Sequence, residues 1–182
     1  MKLDSLISKL KSNTNNTNNM CAATFNNKKI LTYGYSDFNR STAFGINKFG
    51  LHAEEDAIRK LYSKYAKYFA RIICGKMKFK TKKNIDLVVI KINNEGEFTN
   101  SKCCIVCYSI MKAFNIRNIY YFKDNKLIKD KLTHFNPDYI SSGYDFYLSA
   151  HNITNNNLLY VIKNVSLTIS KNHNLYPYNI KY

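Results

Sequence analysis

The chain contains no tryptophan, two prolines and six glycines among its 182 residues. So little Gly and Pro excludes collagen-like and linker-dominated architectures. No apolar run approaches the roughly 20 residues that a membrane-spanning helix requires, so no membrane partner is expected. Residues 1–10 lack the apolar core and small-residue cleavage site of a signal peptide. The expected location is therefore intracellular, and cytoplasmic within that. Acidic residues are scarce, 12 against 28 Lys and Arg, which leaves a net charge of +16. Cysteine is neither abundant nor even in number. Three of the five cysteines fall within residues 103–107, a pattern that suits metal binding in a reducing compartment better than a disulfide framework.

What is present describes a globular protein. Apolar residues make up 45% and aromatics 14%, the latter from 15 Tyr and 11 Phe. A chain of this length fits one domain that buries about two-thirds of its unfolded surface. The positive charge would attract polyanions, which makes nucleic acid a candidate partner. Lys, Asn, Ile and Tyr are abundant together, however, and the basic residues are spread along the chain, as an AT-rich coding bias would produce.

Leu3, Leu6, Ile7 and Leu10 recur at the spacing of an amphipathic helix. A polar tract at 12–19 follows. Two strand-like stretches, 20–25 and 29–35, are then joined by Asn26-Asn27-Lys28 and read as a β-hairpin, because Asn tolerates the positive φ that a tight turn needs. A long helical pattern begins near His52 and carries Ala57, Ile58, Leu61 and Tyr65 on one face. The lysine-rich strip 76–83 precedes the clearest strand, Leu87 to Ile92. A helix is expected over 105–115 and a strand over 118–122, which implies parallel neighbours and a right-handed crossover. Strand-like runs recur at 158–162 and 166–169. The expected fold is α/β, a three-layer α/β/α domain with a mixed sheet. Residues 1–130 form its core, and 131–182 form a C-terminal extension that completes or covers it.

Two short motifs carry the chemistry. His52-Ala53-Glu54 stands at a helix start, and Cys104-Ile105-Val106-Cys107 opens the next helix about fifty residues later. Residues two apart lie about 200° apart on an ideal helix, so His52 and Glu54 can flank one point only at a helix end. Cys104 and Cys107 are three apart and share a face, and a helix N-terminus favours their thiolate forms. One imidazole and two thiolates can hold Zn2+ with a fourth position open, as in a catalytic rather than a structural site. Glu54 would stay off the metal and exchange a proton with the metal's water, whose pKa zinc lowers to about 7.

With H-x-E at 52–54 and C-x-x-C at 104–107, the chain resembles the zinc-dependent cytidine and deoxycytidylate deaminase superfamily, whose pattern is H-x-E followed by P-C-x-x-C. The resemblance runs from the hairpin near Met20 to the strand ending near Phe122. It implies a central sheet of about five strands, metal ligands His52, Cys104 and Cys107, and Glu54 as proton shuttle. It further implies hydrolytic deamination of a cytosine-type nucleoside or nucleotide, and a homo-oligomer. Cys103 stands where the family has Pro and could serve as a fourth ligand. The strip 76–83 lengthens the connection between the motifs. Ser36 occupies the place of a family substrate-binding Asn, which leaves Asn39 as the candidate substrate contact. Two alternatives stand beside this reading: a deaminase acting on bases in a polynucleotide, and a non-catalytic zinc module closed by Cys103. His134, His151 and His173 lie in no motif, and Glu55 and Asp56 read as first-turn acids favoured by the helix dipole.

Overall fold

The computed structural model describes residues 3–12, 19–27, 29–37, 42–43, 46–47, 50–69, 84–142, 145 and 149. Asn39, Arg40, Cys74, His151, His173, the strip 76–83 and the strand-like runs 158–162 and 166–169 lie outside the described residues. Among the described residues, three helices, α1 (Leu3–Ser12), α2 (Ala53–Phe69) and α3 (Ile105–Ala113), accompany seven strands: β1 (Met20–Asn26), β2 (Lys29–Tyr35), β3 (Thr42–Ala43), β4 (Ile46–Asn47), β5 (Asp86–Lys91), β6 (Asn118–Lys123) and β7 (Lys126–Lys131). Five strands form one mixed sheet in the order β2-β1-β5-β6-β7, and β3 and β4 make a separate two-stranded ribbon.

The alternation of side chains along the strands builds the three layers. Ala22, Leu87, Val89, Ile119 and Tyr121 point to one face and pack with Ala57, Ile58 and Leu61 of α2 and Val106, Ile110 and Met111 of α3. Cys21, Ala23, Phe25, Val88, Ile90 and Phe122 point to the other, against Leu6, Ile7 and Leu10 of α1. The apolar stripe read from the first ten residues is thus the face by which α1 covers the sheet. Val88 and Val89 are both fully buried, as expected of a central strand covered on both sides.

The expected hairpin is present, with β1 and β2 antiparallel and Asn27 at φ 52° in its turn. Several elements differ from the sequence expectation in extent or existence, the short strands β3 and β4 among them. Helix α3 stops at Ala113, and Asn115 at φ 53° turns the chain out of it. Strand β5 starts one residue earlier, at Asp86. Strand β7 has no counterpart in the expected elements, because its sequence KLIKDK offers only two apolar residues and its pattern of burial is that of a half-exposed edge. Lysines of that kind guard an edge strand against pairing with another chain. The signal that identifies it is the turn, in which Asp124 and Asn125 stand at φ 50° and 57°, the conformation a two-residue hairpin loop needs.

Strand direction explains where the site forms. β1 is antiparallel to both β2 and β5, and β5 is parallel to β6. β2 and β5 therefore run the same way and end at the same end of the sheet. The chain leaves β2 and returns to its end, where Asp37 and Leu51 exchange backbone hydrogen bonds of 2.9 and 2.7 Å. His52 follows at once. Beyond β5, Ser101 enters between the ends of β5 and β6: its hydroxyl donates to the Val89 carbonyl at 2.9 Å and accepts the Phe122 N–H at 2.8 Å. The cysteines follow at once here too.

Candidate metal centre

His52 is the N-cap of α2. Its carbonyl accepts the Asp56 N–H at 3.0 Å, and its own N–H donates to Glu55 Oε2 at 3.0 Å. The latter is the return arm of a capping box, in which the third helical residue reaches back to the cap. Glu55 is fully buried while doing so, a more specific role than that of a generic first-turn acid. Asp56 is likewise buried. It accepts the Tyr35 N–H at 3.3 Å and pairs with Arg59 at 2.8 Å and Lys60 at 2.6 Å. Burial works against its charge, but the hydrogen bonds from Lys60 and Arg59 outweigh that and hold its pKa below 3.8. The first turn of α2 is thereby fixed to β2 on one side and to its own cap on the other.

Cys104 is the N-cap of α3, with φ −74° and ψ 166°. The first free N–H of that helix, Ile105, donates to the Tyr139 carbonyl at 3.0 Å. Cys104 and Cys107 are buried, at 1% and 0% exposure. A thiol hydrogen bond from Cys107 acts most strongly on Cys104. Together with the His52 imidazole it overcomes the cost of burial and holds the Cys104 pKa well below the usual 9.0. Cys104 is thus disposed to be a thiolate, the form that binds metal.

The three side chains meet. His52 Nδ1 lies 3.2 Å from Cys107 Sγ and 3.7 Å from Cys104 Sγ, and all three donor atoms lie within 4.8 Å of one another. Zinc–sulfur and zinc–nitrogen bonds of about 2.3 and 2.0 Å at the tetrahedral angle would place N and S about 3.5 Å apart. The observed separations bracket that value, so the donor set fits a zinc-sized ion in both chemistry and spacing. Cys103 does not belong to the set. It is buried in the apolar core, and desolvation, with the nearby Glu54 and Cys104 adding to it, pushes its thiol well above 9.0. Among the described residues, the gathered ligand atoms number three.

Glu54 is buried at 1% exposure one residue into α2. It lies near enough to Cys103 and Tyr139 for its charge to raise the pKa of both, although desolvation is the larger cause in each. Ser36 stays at the end of β2, its hydroxyl donating to the Met20 carbonyl at 3.4 Å. His134 is exposed and stands in no metal-ligand group among the described residues.

Four residues outside the donor set support the centre. Ser101 wedges the strand ends, Glu55 caps the His52 helix, and Tyr139 and Ser141 reach the centre from the C-terminal side. The fourth of these touches a candidate ligand directly, since Ser141 Oγ is 3.1 Å from His52 Nε2. Glu55 could have been read from the spacing of a capping box, but the other three act across the fold. No described helix is long and apolar enough to cross a membrane. Compared with protein-family models, curated proteins and solved structures, the chain returns no match.

Proposed function

We propose that the protein is a zinc-dependent hydrolytic deaminase that converts a cytosine-type base, carried by a nucleoside or nucleotide, to the uracil form with release of ammonia. The observation that carries this reading is the three-donor centre of His52, Cys104 and Cys107, with a buried carboxylate, Glu54, on the same helical turn as the histidine. Three protein ligands leave a coordination position for a reacting molecule, whereas a purely structural site takes a fourth. That Cys103 stands apart from the donor set favours the open arrangement over the closed zinc module.

When bound, zinc supplies the Lewis acidity that makes a water molecule nucleophilic at neutral pH. The residues of the chain do the rest. His52 Nδ1 and the two sulfurs would hold the ion, at the meeting point of two helix N-termini. A Glu54 carboxylate oxygen takes a proton from the attacking water as its oxygen adds to the amine-bearing ring carbon. Glu54 then delivers that proton to the ring nitrogen; the added hydroxyl gives up its own proton, which Glu54 passes to the amino group as the carbon–nitrogen bond breaks, so that base and water become keto base and ammonia. Burial of Glu54 serves this role by keeping bulk water away from the proton transfer.

The test is ammonia release by zinc-loaded protein from cytidine, deoxycytidine, their monophosphates, adenosine, guanine and short single-stranded oligonucleotides. Turnover on the cytosine nucleosides or nucleotides, abolished in Glu54→Gln with zinc still bound, is the expected result. Turnover confined to the oligonucleotides would move the substrate to a polynucleotide. A Glu54→Gln variant as active as the parent would end the role given to Glu54.

A further inference from the structure

We propose that Ser141 is a positioning residue of the metal centre: it fixes the imidazole of His52 so that Nδ1 faces the two cysteines, and the segment 138–141 that carries it straps the two ligand-bearing helices together. This rests on the reading of His52, Cys104 and Cys107 as a metal centre.

A histidine has two nitrogens, and only the one without a proton can hold a metal. In this centre Nδ1 faces Cys104 and Cys107 at 3.7 and 3.2 Å, while Nε2 faces Ser141 Oγ at 3.1 Å. With Nδ1 given to the metal, the ring proton sits on Nε2, and the Ser141 hydroxyl oxygen accepts it. Partners of this kind orient metal-binding imidazoles and raise their basicity.

Ser141 is held in place for the task. Two residues before it, the Tyr139 carbonyl takes the Ile105 N–H at 3.0 Å and the Tyr139 hydroxyl donates to the Lys102 carbonyl at 2.6 Å. One residue earlier still, Asp138 pairs with Lys102 at 2.8 Å. One helical turn beyond, the Asp145 N–H donates to the Ser141 carbonyl at 2.9 Å. Below the strap, Phe135 is buried and packs edge-on against Tyr121 at a centroid separation of 5.5 Å. The strap is therefore tied to the loop that carries the cysteines at Lys102 and Ile105, and to the helix that carries the histidine at Ser141. It spans the joint that any change in ligand spacing would have to open.

The experiment uses the full chain as wild type, Ser141→Ala and Ser141→Thr. It measures zinc affinity by competition with a chromophoric chelator, the His52 ring nitrogens by long-range nitrogen–proton correlation in the zinc-loaded protein, and thermal unfolding of the metal-free form. Ser141→Ala is expected to bind zinc about 10- to 100-fold more weakly. Its metal-free unfolding temperature should stay within about 2 °C of wild type, as for a surface change. Ser141→Thr, which keeps the hydroxyl, should recover most of the affinity, and wild type should show a proton on Nε2. Wild-type affinity in Ser141→Ala would overturn the positioning role and leave the metal centre standing. An affinity loss that tracks a fall in metal-free stability and is not recovered by Thr would reduce Ser141 to a packing residue. Failure of wild type to bind zinc would overturn both readings.

Discussion

Gly34 offers the sharpest test of how the fold holds the candidate metal centre. It lies in β2 opposite Ala22 of β1, beneath the first two turns of α2, where Ala53 and Ala57 are fully buried. A Cβ at position 34 would stand 2.0 Å from the Ala53 carbonyl oxygen and 2.3 Å from the Ala57 nitrogen. Both are backbone atoms, so no rotamer change relieves the clash. Because real Cβ contacts do not fall below 3.0 Å, Gly34→Ala must part β2 and α2 by about 1 Å. Overpacking of this kind costs about 1–3 kcal/mol, and rigid opponents place this case at the upper end. Against it stands the chain-entropy gain of about 0.4–1 kcal/mol that Gly→Ala brings wherever the backbone permits it. The expected net is a loss of about 2 kcal/mol.

The sign alone decides between the two effects, since entropy predicts a more stable variant and packing a less stable one. In urea the metal-free variant should unfold about 1 M earlier with an unchanged slope, taking a slope of about 2 kcal/mol/M. A second consequence follows from position. The turn of α2 pushed outward carries His52 and Glu54, and ligand distances tolerate only about 0.2 Å. Zinc affinity should therefore fall at least tenfold, beyond what lost stability alone explains. A Gly34→Ala protein as stable as its parent would refute the packing argument. One that is destabilised but binds zinc normally would refute the mechanical link from β2 to the metal.

Cys103→Ala should leave zinc stoichiometry and the cobalt absorption spectrum unchanged, whereas a closed four-ligand site would lose both. Asp56→Asn should cost about 1–2 kcal/mol at neutral pH, since it removes charge-assisted hydrogen bonds from a buried carboxylate, discounted because Arg59 and Lys60 are each 40% exposed. The Asp56 pKa is lowered on folding from 3.8, so its contribution is complete above that value and disappears as the pH falls through it toward the folded pKa. Denaturation at pH 7 and pH 2.5 should show a smaller deficit of the variant at the lower pH. Cys21 behaves in the opposite sense: burial pushes its thiol from 9.0 up to about 12, so its contribution is present below pH 9 and is lost as the pH rises from 9 toward 12. Urea titrations at pH 8 and pH 10.5 should find the alkaline loss of stability smaller in Cys21→Ala than in wild type, by at most about 1.4 kcal/mol per pH unit.

The parts of this centre that were legible in the sequence are those whose chemistry is local. A histidine two residues before a glutamate, and cysteines three apart, announce donors because of what those side chains are. The stripe of Leu6, Ile7 and Leu10 announces a covering helix because periodicity is a property of one segment. The supports are legible only in three dimensions. Ser141 lies 89 residues from the histidine it meets. Gly34 is one small residue in a strand until α2 is laid on it, and Ser101 has a role only where two strands splay. Asn39, singled out as a substrate contact, lies outside the described residues.

Whether His52 can reach Cys104 and Cys107 depends on β2 and β5 ending at the same end of the sheet, and that follows from a single strand, β1, being antiparallel to both. The β1–β2 half of this was readable from Asn26-Asn27-Lys28, because a connection so short permits only an antiparallel return. The β1–β5 half was not, because nothing local records which way a strand joins a neighbour sixty residues away. Had β5 entered the sheet in the other sense, the same two motifs would have opened helices at opposite ends of the domain. The strands are about 20 Å long, far beyond the span of one metal ion. The motifs name the candidate donors, but the direction of three strands brings them together.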